Sequence, residues 1–161
     1  MVEEKLLEVL KFIAEVLRKE NVRWALVGSL NLALHGVDVE PKDIDIVTDR
    51  EGILKIGELL REFVVEEIRY KEGKKMAAYF GKLNVNGVLI DIIGEPRMRE
   101  DEDHKWKEKG LCKDLIVLDL GNLRVPAMSL RSELNAYKIL GKTEKVRKIE
   151  NVLRKKEEGV R

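Results

Sequence analysis

The chain has 161 residues, 44% of them hydrophobic and 38% charged, which is enough apolar sequence to bury the core of one globular domain. Its 31 Lys and Arg residues nearly balance its 30 Asp and Glu residues, and a net charge of +1 excludes the overall positive field of a polynucleotide binder. No segment approaches the roughly 20 apolar residues of a membrane span. We therefore expect a soluble, cytoplasmic protein.

Three further features of composition support this expectation. Glutamates near the N-terminus interrupt any apolar stretch, so no signal peptide is predicted. Cys112 is the single cysteine, which excludes an intrachain disulfide and suits a reducing compartment. Dense charge of both signs without any glutamine is typical of thermophilic proteins.

Apolar periodicity predicts the following elements in the first half of the chain: a helix over 2–19, a strand over 23–27, a short helix over 30–35, a strand over 44–48 and a helix over 51–62. In the second half it predicts a hairpin of 63–70 with 76–83, a strand over 88–93, a hairpin of 115–120 with 123–125, and helices over about 129–140 and 143–157. Residues 95–113 are charged and are predicted to be an irregular, mobile loop. This order predicts an α+β fold with a mixed sheet, flanking helices and two C-terminal helices, in a single domain over 1–161 with a core of about 20–125 and a helical part of about 128–157.

Three aspartates in apolar surroundings are the principal chemical feature of the chain. Asp43 and Asp45 lie in the segment 42–47, and alternation along a strand points both to one face. Asp91 interrupts an apolar run over 88–93, where an unpaired carboxylate is rare. Three carboxylates meeting on one sheet repel one another unless a cation lies between them. Their hard oxygen ligands favour Mg²⁺ or Mn²⁺.

The first strand ends in Gly28-Ser29, thirteen residues before Asp43. A glycine at a strand-to-helix junction lets the backbone approach a ligand closely, and the following N–H groups with the serine hydroxyl suit a phosphate. Taken alone, Gly-Ser is a common turn and an Asp-x-Asp pair is common at exposed strand edges.

A phosphatase of the haloacid-dehalogenase type is the first alternative for Asp43-Ile-Asp-Ile-Val47. In that family the apolar strand precedes the aspartates. Here the preceding residues are Val39-Glu-Pro-Lys42 and the apolar residues come afterwards, so the aspartates open a strand instead of ending one. We reject this alternative.

The combined pattern resembles the nucleotidyltransferase superfamily, whose fold is that of DNA polymerase β-like enzymes. The resemblance covers about residues 20–95 and extends more loosely over 124–155. The stretch Gly28-Ser-Leu-Asn-Leu-Ala-Leu-His-Gly36 is similar to the small prokaryotic nucleotidyltransferases of abortive-infection and toxin–antitoxin systems.

The resemblance implies transfer of a nucleoside monophosphate from a triphosphate to a hydroxyl of an unidentified protein, tRNA or small molecule, with release of pyrophosphate. It implies that Gly28 and Ser29 hold the β- and γ-phosphates, that Asp43, Asp45 and Asp91 ligate two metal ions, that Asp91 helps to deprotonate the acceptor, and that Lys138 and Lys42 neutralise phosphate charge. Lys138 is equally consistent with a solvated helix position.

Departures from the family pattern keep other functions open. Val39 and Pro41 stand where many relatives have a basic and a hydroxyl residue, which favours a non-catalytic or regulatory member of a toxin–antitoxin-type pair with a small helical partner. A hydrolase using Asp45 and Asp91 as its two carboxylates is a weaker alternative. His35 is expected to be a packed histidine, and Trp106 either stacks on a base or anchors its own loop.

Overall fold

The computed structural model describes residues 2–109 and 114–159, so Cys112 and the end of the predicted 95–113 loop lie outside the described residues. Within these ranges the elements in chain order are α1 (Glu4–Lys19), β1 (Trp24–Val27), α2 (Gly28–Leu34), β2 (Ile44–Thr48), α3 (Arg50–Leu59), a 3₁₀ turn (Arg61–Phe63), β3 (Val64–Glu72), β4 (Met76–Val85), β5 (Val88–Met98), β6 (Lys107–Glu108), β7 (Leu115–Asp119), β8 (Arg124–Met128), α4 (Leu130–Leu140) and α5 (Thr143–Gly159). None of the helices in the described part is both long and apolar enough to cross a membrane.

The strands form one mixed sheet in the order β3-β4-β5-β2-β1-β8-β7, with the short β6 paired to β5. The central pairs alternate in direction, since β1 runs antiparallel to β2, whereas β2 is parallel to β5 and β1 is parallel to β8. The mixed sheet with its flanking helices confirms the predicted α+β class, and α4 with α5 confirms the two C-terminal helices.

The two faces of the sheet carry different side chains because residues alternate along each strand. One face supplies Leu26, Ile46 and Ile92 to the main core, which α1 and α3 cover. The other face carries a smaller apolar cluster that includes Val27 and Val47. The second face is the one that also receives Asp45 and Asp91, because these residues alternate with the core isoleucines.

The C-terminal helices are anchored to α2. Leu32 of α2, Leu130 and Leu134 of α4 and Ile149 of α5 form a second buried cluster. Burial of four such side chains contributes roughly 1.5–3 kcal/mol each before entropy is counted. The helical part is therefore packed beside the Gly28-Ser29 segment, although the domain boundaries given above stay a prediction.

The prediction of an irregular segment over 95–113 holds for residues 99–106 and is wrong for 95–98 and 107–108, which are in strands. Strand β5 continues through Met98, and β6 pairs with its end through Arg97 and Met98. A register shift of β5 against β4 accommodates Glu95, which has a positive φ of 51°. A bulge of this kind lets a strand pass a proline and a charged residue without ending. Similarly, the helix predicted over 51–62 ends at Leu59 and is followed by the 3₁₀ turn.

Candidate active site

Asp45 and Asp91 meet because β2 and β5 are parallel and in register at these two residues. Burial raises the pKa of Asp45 to about 7, and the Asp91 charge, a hydrogen bond to Asp91 and the Asp43 charge act in the same direction. A carboxylate beside another carboxylate in a half-buried position is unfavourable when both are ionised. Burial and the neighbouring carboxylates therefore favour the protonated form of Asp45 in the ligand-free protein.

Asp43 contributes charge to the same site without joining the pair. It is exposed, immediately precedes β2, and its charge raises the pKa of Asp45. Across 2–109 and 114–159, no group of three or more Asp, Glu, His or Cys side chains is placed so that it could hold a metal ion. The predicted trio is thus brought together as the close pair Asp45–Asp91, with Asp43 beside it.

The pair fits a divalent cation bound together with a nucleotide. Mg²⁺ in nucleotide enzymes is usually held by one or two carboxylates, substrate phosphates and water, and not by an all-protein cage. Asp45 and Asp91 supply two such carboxylates, and their mutual repulsion is the feature that a cation would relieve.

Gly28 lies against Asp45. Its φ is +77°, and a Cβ at this position would be 2.4 Å from the Asp45 Oδ2. Both the left-handed backbone and the close approach therefore require glycine. The Gly28 N–H was predicted to contact a phosphate. In the structure it donates a hydrogen bond to Glu133 Oε2 at 2.9 Å. Ser29 is half-buried in the first turn of α2.

Glu133 is a site residue that the sequence analysis missed. It is 3% exposed, and its Oε2 also accepts a hydrogen bond from Asn31 Nδ2 at 2.8 Å. Burial raises the pKa of Glu133 to about 7 against the opposing hydrogen bonds from Asn31 and Gly28. Helical spacing offered a signal, since Glu133 shares a helix face with the buried Leu130 and Leu134.

Two lysines carry positive charge that acts on the carboxylates. Lys82 of β4 lies opposite Asp91 in the sheet, with its Nζ 3.5 Å from Asp91 Oδ1. The positive charge of Lys145 acts on both Asp45 and Glu133 and opposes their raised pKa values.

Lys138, the lysine predicted to bind phosphate, instead has its Nζ 3.9 Å from Glu150 Oε2 on α5. It is half exposed, and it does not line the cleft that contains Asp45. Lys42, the less favoured candidate, is exposed. Lys82 and Lys145 were not selected from the sequence, and they do not line the cleft either. Lys82 contacts Asp91, and the Lys145 Nζ lies 5.1 Å from the centroid of the Tyr137 ring, which does line the cleft.

A cleft of about 470 Å³ adjoins these residues, and Gly28, Asp45, Glu133 and Tyr137 contribute to its wall. The rest of the lining is mostly apolar and includes Met76, Ile93, Met98, Met128 and Leu140. A larger cavity of about 890 Å³ lies between α1 and β7 and contains none of the predicted site residues. The smaller cleft is therefore the candidate active site, because it is the one that adjoins the carboxylates.

The two remaining aromatic candidates have local roles. Burial lowers the pKa of His35, which follows α2 and has a buried Nε2, as expected of a packed histidine. The Arg99 guanidinium lies 3.9 Å from the centroid of the Trp106 ring. Trp106 thus stacks on a side chain of its own segment, which agrees with an anchoring role.

The stability of the ligand-free protein is expected to fall as pH rises from about 4 to 8. Asp45 and Glu133 have folded-state pKa values raised from 3.8 and 4.5 to about 7, so the native state holds protons that the unfolded state releases. The expected loss is on the order of 3 kcal/mol in total. Urea unfolding in EDTA at pH 5 and pH 8 measures it, and Asp45→Asn should reduce the difference. Equal stability at the two pH values would contradict the assignment.

Comparison with known proteins agrees with this geometry. Residues 9–152 match the aminoglycoside-2''-adenylyltransferase family, a range that includes the three aspartates, all of α4 and the first part of α5. The crystal structure of TM1012 from Thermotoga maritima, a protein with a provisional nucleotidyltransferase assignment, superposes with a TM-score of 0.81 at 35% identity over 96% of each chain. No curated protein sequence matches significantly. The chain therefore belongs to the aminoglycoside-2''-adenylyltransferase family of the nucleotidyltransferase superfamily.

Proposed function

We propose that the protein is a metal-dependent nucleotidyltransferase that transfers a nucleoside monophosphate from a triphosphate to a hydroxyl group. The observation that carries the proposal is the placement of Asp45 beside Asp91, in register on parallel strands, with the Gly28 backbone against Asp45. Family membership supports it independently. In the reaction, a bond forms between the acceptor oxygen and the α-phosphorus, the bond from that phosphorus to the β-phosphate oxygen breaks, and pyrophosphate leaves.

Asp45 and Asp91 are the residues that would hold Mg²⁺ or Mn²⁺, with Asp43 close enough to add charge. When bound, the divalent ion neutralises phosphate charge and stabilises the attacking and leaving oxygens. Asp91 is the carboxylate proposed to accept the proton of the acceptor hydroxyl, because it lies on the strand next to Asp45 and is only partly buried. Lys82, whose Nζ lies 3.5 Å from Asp91 Oδ1, places a positive charge beside this carboxylate.

The acceptor is open to three classes: a protein, a tRNA or a small molecule. The family name points to aminoglycosides, which are polycations. The cleft wall includes Glu108 and Asp114 in addition to Asp45, so carboxylates are available to attract a cationic acceptor. Its apolar walls equally suit a nucleobase or an uncharged acceptor. We therefore include aminoglycosides as one member of an acceptor panel.

A non-catalytic role in a toxin–antitoxin-type pair is the second candidate. One observation favours it: the Gly28 N–H, which the resemblance assigns to phosphate, already donates to Glu133. If that bond persists in the presence of nucleotide, Gly28 offers less to a triphosphate than the resemblance implies. Stable co-purification with a small helical protein encoded by a neighbouring gene would support this candidate. A protein that stays monomeric and binds none of the proteins encoded nearby would exclude it.

Calorimetric titration distinguishes the two candidates. ATP, CTP, GTP and UTP are titrated with and without Mg²⁺ into the wild type and into Asp43→Asn/Asp45→Asn. Mg²⁺-dependent binding that disappears in the double variant is expected for the enzyme, and the preferred triphosphate, labelled at its α-phosphate, then screens the acceptor panel. Absence of binding by the wild type would contradict the catalytic proposal.

Lys145 is proposed to fill the phosphate-binding role that the sequence suggested for Lys138. We expect Lys145→Ala to raise the Kd for the preferred Mg²⁺-triphosphate about tenfold, the effect of losing one charge-assisted hydrogen bond. Lys138→Ala is the matched control, because its charge is directed to Glu150, and its Kd should change less than about twofold. The reverse order of effects would restore the assignment of Lys138.

A further inference from the structure

Glu133 differs from the other carboxylates of the site because neutral donors hold it and it is almost fully buried. Its Oε2 accepts from the Gly28 N–H at 2.9 Å and from Asn31 Nδ2 at 2.8 Å, and it is 3% exposed. A buried carboxylate is costly, so a position that served packing alone would be better filled by an apolar residue. With 3% of its surface exposed, Glu133 offers little direct contact to an acceptor in the cleft.

Asn31 fixes the orientation of the Glu133 carboxylate. The amide is fully buried, and its Nδ2 donates both to Glu133 and to the Met128 carbonyl at 2.9 Å. Its Oδ1 is buried without a hydrogen-bond partner within the described residues. Asn31 on α2 therefore joins the end of β8 to the first turn of α4. Together its two hydrogen bonds restrict the position of the Glu133 carboxylate.

Gly28 lies between Glu133 and the metal-binding carboxylate. Its N–H points to Glu133, while the Cβ it lacks would fall 2.4 Å from Asp45 Oδ2. The Gly28 backbone thus lies beside the Asp45 carboxylate, and a change in the position of its peptide would alter the space available to the Asp45 side chain. Small displacements of this kind reduce catalysis strongly when reacting groups must be aligned.

We propose that Glu133 is a positioning residue that clamps the Gly28 peptide and so sets the position of Asp45, which couples the C-terminal helices to nucleotide binding. The inference rests on the proposed function of the site. It gives α4 a role in nucleotide binding in addition to packing, because the clamp begins on that helix and ends at the active-site carboxylate.

Two readouts on matched variants test the clamp: the Kd for the tightest-binding of the four Mg²⁺-triphosphates, and hydrogen exchange of the Gly28 amide in the ligand-free protein. Glu133→Gln keeps an oxygen that accepts the Gly28 N–H, so the Kd should stay within about threefold and the amide should stay protected. Glu133→Leu should raise the Kd at least about tenfold, the size of one hydrogen bond to a charged group, and lose the protection.

Leu134→Ala is the structural control, because Leu134 is buried on the same helix in the cluster that contains Ile149. It should lower the urea midpoint while leaving the Kd and the Gly28 protection of the folded protein unchanged. Asn31→Ala is a second variant if Glu133→Leu does not fold, and its Kd should rise by a smaller factor.

Failure of the clamp and failure of the proposed function give different results. A Glu133→Leu protein that loses Gly28 protection but binds triphosphate like the wild type would overturn the positioning role. A wild type that binds no triphosphate would overturn the proposed function and, with it, a role for Glu133 in nucleotide binding. In that event the exchange data would still report whether Glu133 holds the Gly28 peptide.

Discussion

Asp45→Asn is expected to reduce nucleotide transfer on the order of 10³-fold, equivalent to about 4 kcal/mol of transition-state stabilisation. The change keeps the shape of the side chain and removes the charge that would pair with a metal ion. The same variant should be more stable than the wild type without ligand, by about 1–3 kcal/mol at pH 8, because a group whose pKa is raised from 3.8 to about 7 destabilises the native state when ionised.

The opposite signs of the two effects make this prediction specific. Transfer of α-labelled nucleotide to the acceptor found in the panel measures the first effect, and urea unfolding in EDTA measures the second. Asp119→Asn is the control, because Asp119 is exposed on β7 at the far edge of the sheet and asparagine can still accept the Gly121 N–H. Retention of more than about a tenth of the activity by Asp45→Asn would remove Asp45 from the catalytic set.

Gly28→Ala is expected to lower transfer about 10²-fold, the effect of misplacing a reacting group by roughly 1 Å. A methyl group at Gly28 would be 2.4 Å from Asp45 Oδ2, so either the Asp45 side chain or the first turn of α2 must move. An alanine at the positive φ of 77° is strained in the native state, which lowers the free energy of unfolding by about 1–2 kcal/mol.

Gly36→Ala separates strain from displacement. Gly36 also has a positive φ, of 90°, but a Cβ there would meet nothing within 4 Å. Gly28→Ala should therefore lose at least as much stability in urea as Gly36→Ala, and Gly28→Ala alone should lose nucleotide affinity and transfer. Equal activity of the two alanine variants would show that the contact between Gly28 and Asp45 is dispensable.

The effects predicted for these variants indicate a site whose carboxylates destabilise the protein when no ligand is bound. Asp45, Asp91 and the buried Glu133 are brought close in a part of the sheet where Lys82 and Lys145 offset only some of their charge. Repulsion of this kind lowers the stability of the free protein and is relieved when a cation binds. This explains why the carboxylates cost stability and are nevertheless expected to be essential for transfer.

Local patterns were sufficient for the class of fold and for the aspartates. Alternating apolar residues placed Asp45 and Asp91 on strands, since the period of two is a property of the backbone and needs no partner. The end of β5 was less predictable. This strand continues through Pro96 because it pairs with β4 and β6, and that pairing depends on distant residues.

The sequence by itself determined the α+β elements, the superfamily and three candidate carboxylates, because each of these follows from spacing along the chain. Only the tertiary structure brought Lys82 opposite Asp91, Lys145 toward Asp45 and Glu133 to the Gly28 N–H. Glu133 is 105 residues from Gly28, and no local pattern specifies which helix packs over which strand end. Those contacts depend on strand register and on the burial of α4 and α5 against α2, which are set by the whole core at once.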